Sequence, residues 1–345
     1  MHNRNTPSYG VMNADTLECI VKRVYAEVDG MCTFSFQGGE PTLAGLDFFK
    51  SFIAFVRQYN TNNIKTNLAI QTNGCIVDED WARFFFENKF LVGLSLDGYK
   101  DLHDLYRVDV KQSGTFDGVL LAAELFVKYN VEFNILTVVT AQVAKHVEKI
   151  YRFFKKKGFV YQQYIPCLDP LGEERGKEQY SLTPQLYAQF LKSLFDLWYG
   201  DFIAGEFVYN RYFENLVGIQ LGQAPEACSM LGHCSKQIVV EADGSVYPCD
   251  FYVLDQYCIG NLVTDNFDSI EQKRSLTDFI KKSEQVNDAC KECKWYSLCH
   301  GGCRRDRDIG REHFQLNYFC SAYKAFFQYA YSRLQRIAGI TAQHL

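Results

Sequence analysis

Apolar residues at Leu17, Ile20, Val21, Val24 and Val28 recur at the spacing of one helical face, so residues 15–28 predict an amphipathic helix. A short β-rich run, Cys32 to Phe36, follows and is closed by Gln37-Gly38-Gly39-Glu40-Pro41-Thr42. Helical spacing returns over 45–59, with Phe48, Phe49, Phe52, Ile53 and Val56 on one side. The alternation then repeats: strand 67–71, helix 78–88, strand 90–95, helix 116–129, strand 131–139, helix 141–157 and strand 159–165. Strand ends carry chain-reversing residues, as in Thr72-Asn73-Gly74, Leu96-Asp97-Gly98 and Pro166-Cys167-Leu168-Asp169-Pro170.

Strands alternating with helices at this period predict an α/β fold with a parallel sheet and right-handed crossovers. Five strand–helix units are visible, where a closed parallel barrel has eight. An open partial barrel and a doubly wound sheet both fit, and both place function at the C-terminal strand ends. Residues 183–221 read as a helical connector with Tyr187, Phe190, Leu191, Leu194 and Leu197 as its core stripe. From Cys228 the pattern breaks into cysteines, glycines and short β-like pieces, with a hairpin expected around Asp243-Gly244. An aromatic-rich helix over about 321–338 ends the chain, and residues 1–10 are polar and aperiodic.

Composition narrows the function. Nearly half of the 345 residues are hydrophobic, which predicts a packed core rather than disorder. The net charge of −5 argues against a nucleic-acid partner, since phosphate binding needs a basic face. The one basic run, Lys155-Lys156-Lys157, reads as a solvated helix C-terminus. No apolar run approaches the roughly 20 residues that cross a bilayer, and no signal peptide precedes the fold, so the expectation is cytoplasmic with no membrane partner. Thirteen cysteines, an odd number, point to a reducing compartment and metal chemistry rather than a disulfide scaffold.

Eight of those cysteines fall into a pattern. Cys290, Cys293, Cys299 and Cys303 stand within fourteen residues, C-K-E-C-K-W-Y-S-L-C-H-G-G-C, and Cys228, Cys234, Cys249 and Cys320 complete two sets of four. Thiolates are soft ligands, and four suit tetrahedral zinc or an iron–sulfur cluster; spacing alone leaves both open. Cys19, Cys32, Cys75, Cys167 and Cys258 have no partner pattern and are expected to be small buried hydrophobes.

With Gly244 set ahead of Cys249, the series resembles the twin-cluster SPASM domain at the C-terminus of many radical S-adenosylmethionine (AdoMet) enzymes. The resemblance implies that Cys228, Cys234, Cys249 and Cys303 hold one auxiliary [4Fe–4S] cluster, and Cys290, Cys293, Cys299 and Cys320 a second. It also implies a GGEP loop, here Gly38, Gly39 and Glu40, that binds the methionyl ammonium through backbone carbonyls and a carboxylate. Ser95 and Arg107 match positions contacting the methionyl carboxylate, and the Leu168 backbone matches a further cofactor contact. Gln37, Gln71 and Asn73 lie at strand ends facing the same site, Gln37 and Gln71 toward the substrate.

The stretches FQGGEPTLAGL, LVGLSLDG, VEFNIL and GSVYPCDFYVLD make the chain similar to the anaerobic sulfatase-maturating subgroup. That subgroup oxidises a cysteine or serine of a sulfatase to Cα-formylglycine. The resemblance gives Asp250 the role of general base and implies a ferredoxin- or flavodoxin-like electron donor. The family's C-x3-C-x2-C motif, which holds a third [4Fe–4S] cluster for AdoMet cleavage, is absent from the sequence, as is the family's first barrel strand. A misassigned start is the expected cause, leaving this chain inactive alone and the Cys32–Phe36 strand with an open edge.

The expected organisation is thus an open partial (β/α)6 barrel lacking its first strand over 1–180, a helical connector over 181–225, a SPASM domain over 226–322 and a terminal helix over 323–345. The alternatives are a non-catalytic two-cluster electron-transfer or peptide-binding relic, another SPASM peptide-modifying enzyme, and a zinc-stabilised domain.

Overall fold

The computed structural model describes residues 10–171, 173–307 and 315–343, so the polar N-terminal stretch 1–9 lies outside the described residues. Two compact units emerge: residues 1–95, 118–133 and 236–279 form the first, and residues 96–117, 134–235 and 280–345 the second.

In the first unit, helix α1 (Ala14–Glu27) starts where Asn13 Oδ1 accepts from Thr16 N at 2.8 Å, a side-chain N-cap. Strand β1 (Met31–Phe36), helix α2 (Leu46–Tyr59), strand β2 (Lys65–Thr72), helix α3 (Glu79–Glu87) and strand β3 (Phe90–Ser95) follow as the alternation predicts. Parallel pairing sets Ser35 beside Ala69 and Gln71 beside Gly93. Phe36, Phe49, Phe52, Phe85 and Phe90 interlock edge-on or tilted behind these strands. Each such ring contributes about 1.5–3 kcal/mol on burial, which is why the helical faces rich in Phe hold this sheet. Among the described residues β1 pairs with β2 alone, as expected of an edge strand.

The second unit continues through helix α4 (Lys100–His103); helix α5 (Phe116–Lys128) returns to the first unit before strand β4 (Phe133–Val139). Helix α6 (Ala141–Lys145) and helix α7 (Val147–Lys156) replace the single helix expected over 141–157, because His146 adopts φ −119° and ψ 20° and breaks the run. Strand β5 (Tyr161–Pro166) follows.

The helical connector expected over 183–221 is corrected. Helix α8 (Pro184–Ala204) stops at Gly205 in the left-handed region (φ 75°), where Glu206 N donates to Asp201 O. A two-residue strand β6 (Tyr209–Asn210) then pairs with β5 before helix α9 (Arg211–Gln220) begins. The sheet therefore has six strands, not five, in the order β1-β2-β3-β4-β5-β6. A doubly wound sheet reverses strand order at a switch point; this one does not, so of the two architectures the barrel type holds.

The hairpin around Gly244 forms as expected. Strands β7 (Val239–Val240) and β8 (Ser245–Tyr247) pair antiparallel, and β9 (Gly260–Asn261) extends them. Val246, Ile259, Leu262 and Ile270, the last on helix α10 (Phe267–Leu276), pack against Ile20 of α1, so this small sheet shares a core with the N-terminal helix. Short helices α11 (Phe279–Glu284), α12 (Asp288–Lys291) and α13 (Tyr296–Cys299) carry the cysteine segment, and the closing helix α14 runs Cys320–Ala342. Among the described residues no helix is long and apolar enough to cross a membrane.

Candidate functional site

Three neighbourhoods hold the residues singled out by sequence. The first is the loop after β1. Gly38 and Gly39 take φ 83° and 49°, conformations that strain any residue with a Cβ. A Cβ added at either glycine would meet nothing within 4 Å, so backbone conformation and not packing requires glycine here. Gln37 and Gln71 are exposed, and Ser95 ends β3 half-buried.

Glu40 departs from a simple ammonium ligand. Its Oε1 accepts from Thr42 N (3.1 Å), Thr42 Oγ1 (2.6 Å) and Thr72 Oγ1 (2.7 Å), and its Oε2 accepts from Asn73 N (2.6 Å). The carboxylate thereby latches the β1 loop to the end of β2. Sequence reasoning missed this role, although the pair Thr42 and Thr72-Asn73 supplied the signal.

Also in the first unit, Cys249 and Asp250 follow β8. Asp250 is exposed and opens a 3-10 turn, and its Oδ1 accepts from the Cys249 thiol at 3.3 Å. Gly244 takes φ 86°, and a Cβ there would stand 2.7 Å from Asn261 Oδ1, so only glycine closes this turn.

The second neighbourhood lies in the second unit, after β3. Arg107 Nε donates to Asp97 Oδ2 at 2.5 Å and its Nη2 to Oδ1 at 3.3 Å, a two-point ion pair. Asp97 Oδ1 also accepts from Val138 N (2.8 Å), fixing the pair to β4. The Asp97 backbone N–H donates to His103 Nδ1 at 3.1 Å; an amide cannot accept, so the His103 proton sits on Nε2 and donates to Thr115 Oγ1 at 3.1 Å. Burial, and then the Arg107 charge, lower the His103 pKa to about 4. The pairing with Asp97 uses Nε and Nη2 and leaves the Nη1 edge of Arg107 outside it. Farther on, Leu168 is half-buried beside the buried Cys167, and Asp169 accepts from Gly176 N at 2.9 Å and from Ser181 Oγ.

The third neighbourhood is the cysteine segment. Cys290, Cys293, Cys299 and Cys320, the four assigned to the second cluster, line one partly open cavity together with Trp295, Tyr296 and Phe327. Burial pushes Cys299 up to about 11, with Cys290, Cys293 and Cys320 adding to it, and Cys303 up to about 12, with Cys228 and Cys234 among its charged neighbours. These thiols are held protonated until a metal replaces the proton. Among the described residues no three His, Cys, Asp or Glu converge on the point a single ion would fill. The tight turn from Cys299 to Cys303 needs its glycines: a Cβ on Gly302 would lie 2.3 Å from Asn317 Nδ2.

Directly after Cys303, Arg304, Arg305, Asp306 and Arg307 are all at most 7 % exposed. Arg175 bridges Asp306 Oδ1 (3.0 Å) and Arg305 O (2.6 Å), and Arg305 Nη2 donates to Asp169 O at 2.6 Å. The stretch and the loop it clamps thus bury four guanidinium groups beside two carboxylates. Buried charge is costly without an opposite partner, and a cube held by four thiolates is such an anion. Donor chemistry and local charge both fit a thiolate-bound cluster. Sequence analysis passed over R-R-D-R after Cys303, where an uninterrupted charge run beside cysteines was the available signal.

Of the five unpatterned cysteines, only Cys167 is buried. Cys75 and Cys258 are exposed and Cys19 and Cys32 intermediate, which corrects the expectation for those four. Cys75 and Cys258 sit in turns where their thiols reach local carbonyls, Asn73 O and Gly260 O.

Comparison with known proteins agrees with this geometry. The radical SAM superfamily matches residues 2–154, and the SPASM iron–sulfur cluster-binding domain matches residues 228–294. A cysteine-type anaerobic sulfatase-maturating enzyme of Clostridium perfringens is 53% identical over 338 residues, covering 98% of this chain and 91% of that protein. A serine-type counterpart of Bacteroides thetaiotaomicron is 28% identical, covering 92% and 81%. The solved structure of native anSMEcpe with bound AdoMet and Cp18Cys peptide superposes with a TM-score of 0.94 at 52% identity, covering 96% of this chain and 92% of that one. The chain therefore belongs to the anaerobic sulfatase-maturating enzymes, radical AdoMet oxidoreductases that carry a SPASM iron–sulfur domain.

Proposed function

We propose that this protein oxidises a cysteine of a sulfatase polypeptide to Cα-formylglycine, with two auxiliary [4Fe–4S] clusters bound as assigned above. The observation that carries the reading is the single cavity lined by Cys290, Cys293, Cys299 and Cys320, four residues scattered over 31 positions and grouped by family pattern alone. A cysteine target is favoured over serine by the higher identity to the cysteine-type relative, 53% against 28%.

When bound, AdoMet and the clusters supply the hydrogen-abstracting radical and a path for electrons. The chain's own residues do the rest. The carbonyls of Gly38 and Gly39 accept from the methionyl ammonium, while the Glu40 latch keeps their loop in register with the end of β2. Ser95 and the Nη1 edge of Arg107 donate to the methionyl carboxylate, and the Leu168 backbone borders the cofactor. Gln37 and Gln71, exposed at strand ends, hydrogen-bond the substrate peptide. Asp250 takes the proton of the target thiol as its Cβ is oxidised. With Cys249 engaged as a ligand, the thiol proton that Asp250 now accepts is gone, and the carboxylate is free for the substrate. Electrons leave to a small ferredoxin- or flavodoxin-like partner.

The test is anaerobic. The chain, fused behind a strand and loop bearing C-x3-C-x2-C, is incubated with AdoMet, reductant and a cysteine-containing sulfatase peptide. Formation of 5′-deoxyadenosine together with an aldehyde peptide is expected. Deoxyadenosine without aldehyde would point to a different peptide modification, and Asp250→Asn with full aldehyde yield would remove the base assignment.

A further inference from the structure

Arg307 is the bulkiest fully buried side chain among the described residues, at 2% exposure. Its hydrogen bonds within those residues go to backbone carbonyls: Nη2 to Ser283 O at 2.7 Å and Nη1 to Gln285 O. Carbonyls take its two Nη groups, leave its buried Nε without a hydrogen-bond partner, and do not neutralise its charge. Buried charge of this kind persists only where an anion stands nearby.

Its surroundings identify that anion. Ser283, whose carbonyl it grips, is itself fully buried, and the Ser283 hydroxyl accepts from Cys234 N at 2.8 Å. On its other side, the Arg307 Cδ lies 4.0 Å from where a Cβ of Gly301 would be, and Gly301 lines the cavity of Cys290, Cys293, Cys299 and Cys320. Arg307 is thus one residue away from a ligand of the first set and against the wall of the second. Burial works against its positive charge, and Cys303, Cys234 and Cys290, once ionised, are the groups that would favour it. Asp306, by contrast, is neutralised locally by Arg175 at 3.0 Å.

We propose that Arg307 is an electrostatic positioning residue shared by both auxiliary clusters, whose fixed positive charge raises the reduction potential of each. The inference rests on the cluster assignment made under the proposed function. A reduced cluster carries one more negative charge than an oxidised one, so a nearby buried cation favours reduction, and its removal must lower both potentials. The shared placement also keeps the two potentials moving together, which preserves the driving force between them.

The experiment is a potentiometric titration of the anaerobically reconstituted chain, monitored by EPR, with iron and sulfide counted in the same samples. Wild-type protein loaded with zinc would remove the cluster reading itself. Given iron–sulfur loading, Arg307→Gln is expected to shift both midpoint potentials downward, while Arg307→Lys, which keeps the charge, stays near wild type. Asp306→Asn, which deletes a negative charge beside Cys303, is expected to shift the first cluster upward. Unchanged potentials in a fully loaded Arg307→Gln protein overturn the proposal, as does an equal downward shift in Arg307→Lys. Should Arg307→Gln fail to load, the Lys and Asn variants decide the matter by the same two signs.

Discussion

The loop after β1 and the segment from Cys290 to Cys303 are both short, glycine-bearing and assigned to cofactors, yet they are held in opposite ways. The first is complete without a ligand. Glu40 collects four hydrogen bonds across two strand ends, and the glycine backbone stands preshaped. The second is incomplete. Its Cys299 and Cys303 thiols are held protonated by burial, and Arg307 beside them has carbonyls but no direct ion pair among the described residues. A site that receives a diffusible cofactor benefits from preorganisation, because ordering has been accomplished before binding. A site built around a resident cluster can leave part of its folding free energy to the metal.

The sharpest way to break this contrast is to remove one thiol. Cys299→Ala deletes a ligand of the cavity set, and the expected result is loss of one cluster's iron together with a large drop in thermal stability of the reconstituted protein. The same protein without iron should unfold with little difference between wild type and variant. Iron content and melting temperature, measured in both states, decide it; equal iron in the two proteins would strip Cys299 of its ligand role.

Glu40→Ala should have a smaller but metal-independent effect. Four donors lose a charged acceptor, two of them on strand β2 or just after it, and a cost of about 3–4 kcal/mol is expected. Denaturant midpoints of the iron-free protein read it directly. A loss that appears only after reconstitution would instead mean that Glu40 acts through the cofactor and not as a latch.

His103 gives the next step. The folded protein holds its ring neutral down to about pH 4, whereas the unfolded chain protonates near 6.5. Stability contributed by this group is therefore full above pH 6.5 and is lost as pH falls toward 4, by about 3 kcal/mol in total. Below pH 4 the loss is complete. Protonation of Nδ1 also removes the acceptor for the Asp97 N–H, so the Arg107 anchor in the folded protein should loosen only as pH reaches about 4. His103→Gln should flatten the stability profile between pH 6.5 and 4; an unchanged slope would assign acid sensitivity to other groups.

How far the sequence could be read follows the same divide. The alternation of helix and strand through residue 166 was visible because each element buries one face, as the Phe36, Phe49 and Phe90 packing shows. β6 was hidden: it is two residues long, and the apolar stripe of α8 and α9 runs past Gly205, whose left-handed φ is the true stop. Cysteine spacing exposed the cavity set because the proposed cluster would fix where its four ligands can stand. Arg307 stayed unread, since a basic residue on a turn is ordinarily solvated and only its burial reveals the role. The unpatterned cysteines misled in the other direction. Composition makes cysteine an apolar residue, but Cys75 and Cys258 lie in exposed turns.

The smallest predicted effect tests whether the β1 loop is preshaped in its backbone alone. Gly39 sits at φ 49° with nothing within 4 Å of a Cβ position, so Gly39→Ala introduces no clash and adds only the left-handed penalty of about 1 kcal/mol. Gly39→Asn, which tolerates that region better, should recover much of it. Had the glycine been needed for close packing, both variants would be damaging and the larger asparagine worse. The expected order in denaturant midpoint is therefore wild type, then Asn, then Ala. AdoMet binding measured on the same proteins separates the two roles of the loop: an affinity loss far exceeding the stability loss means the added side chain obstructs the methionyl group and not the fold. Parallel small losses in both would place the whole effect in the conformation that Glu40 and the glycines maintain before any cofactor arrives.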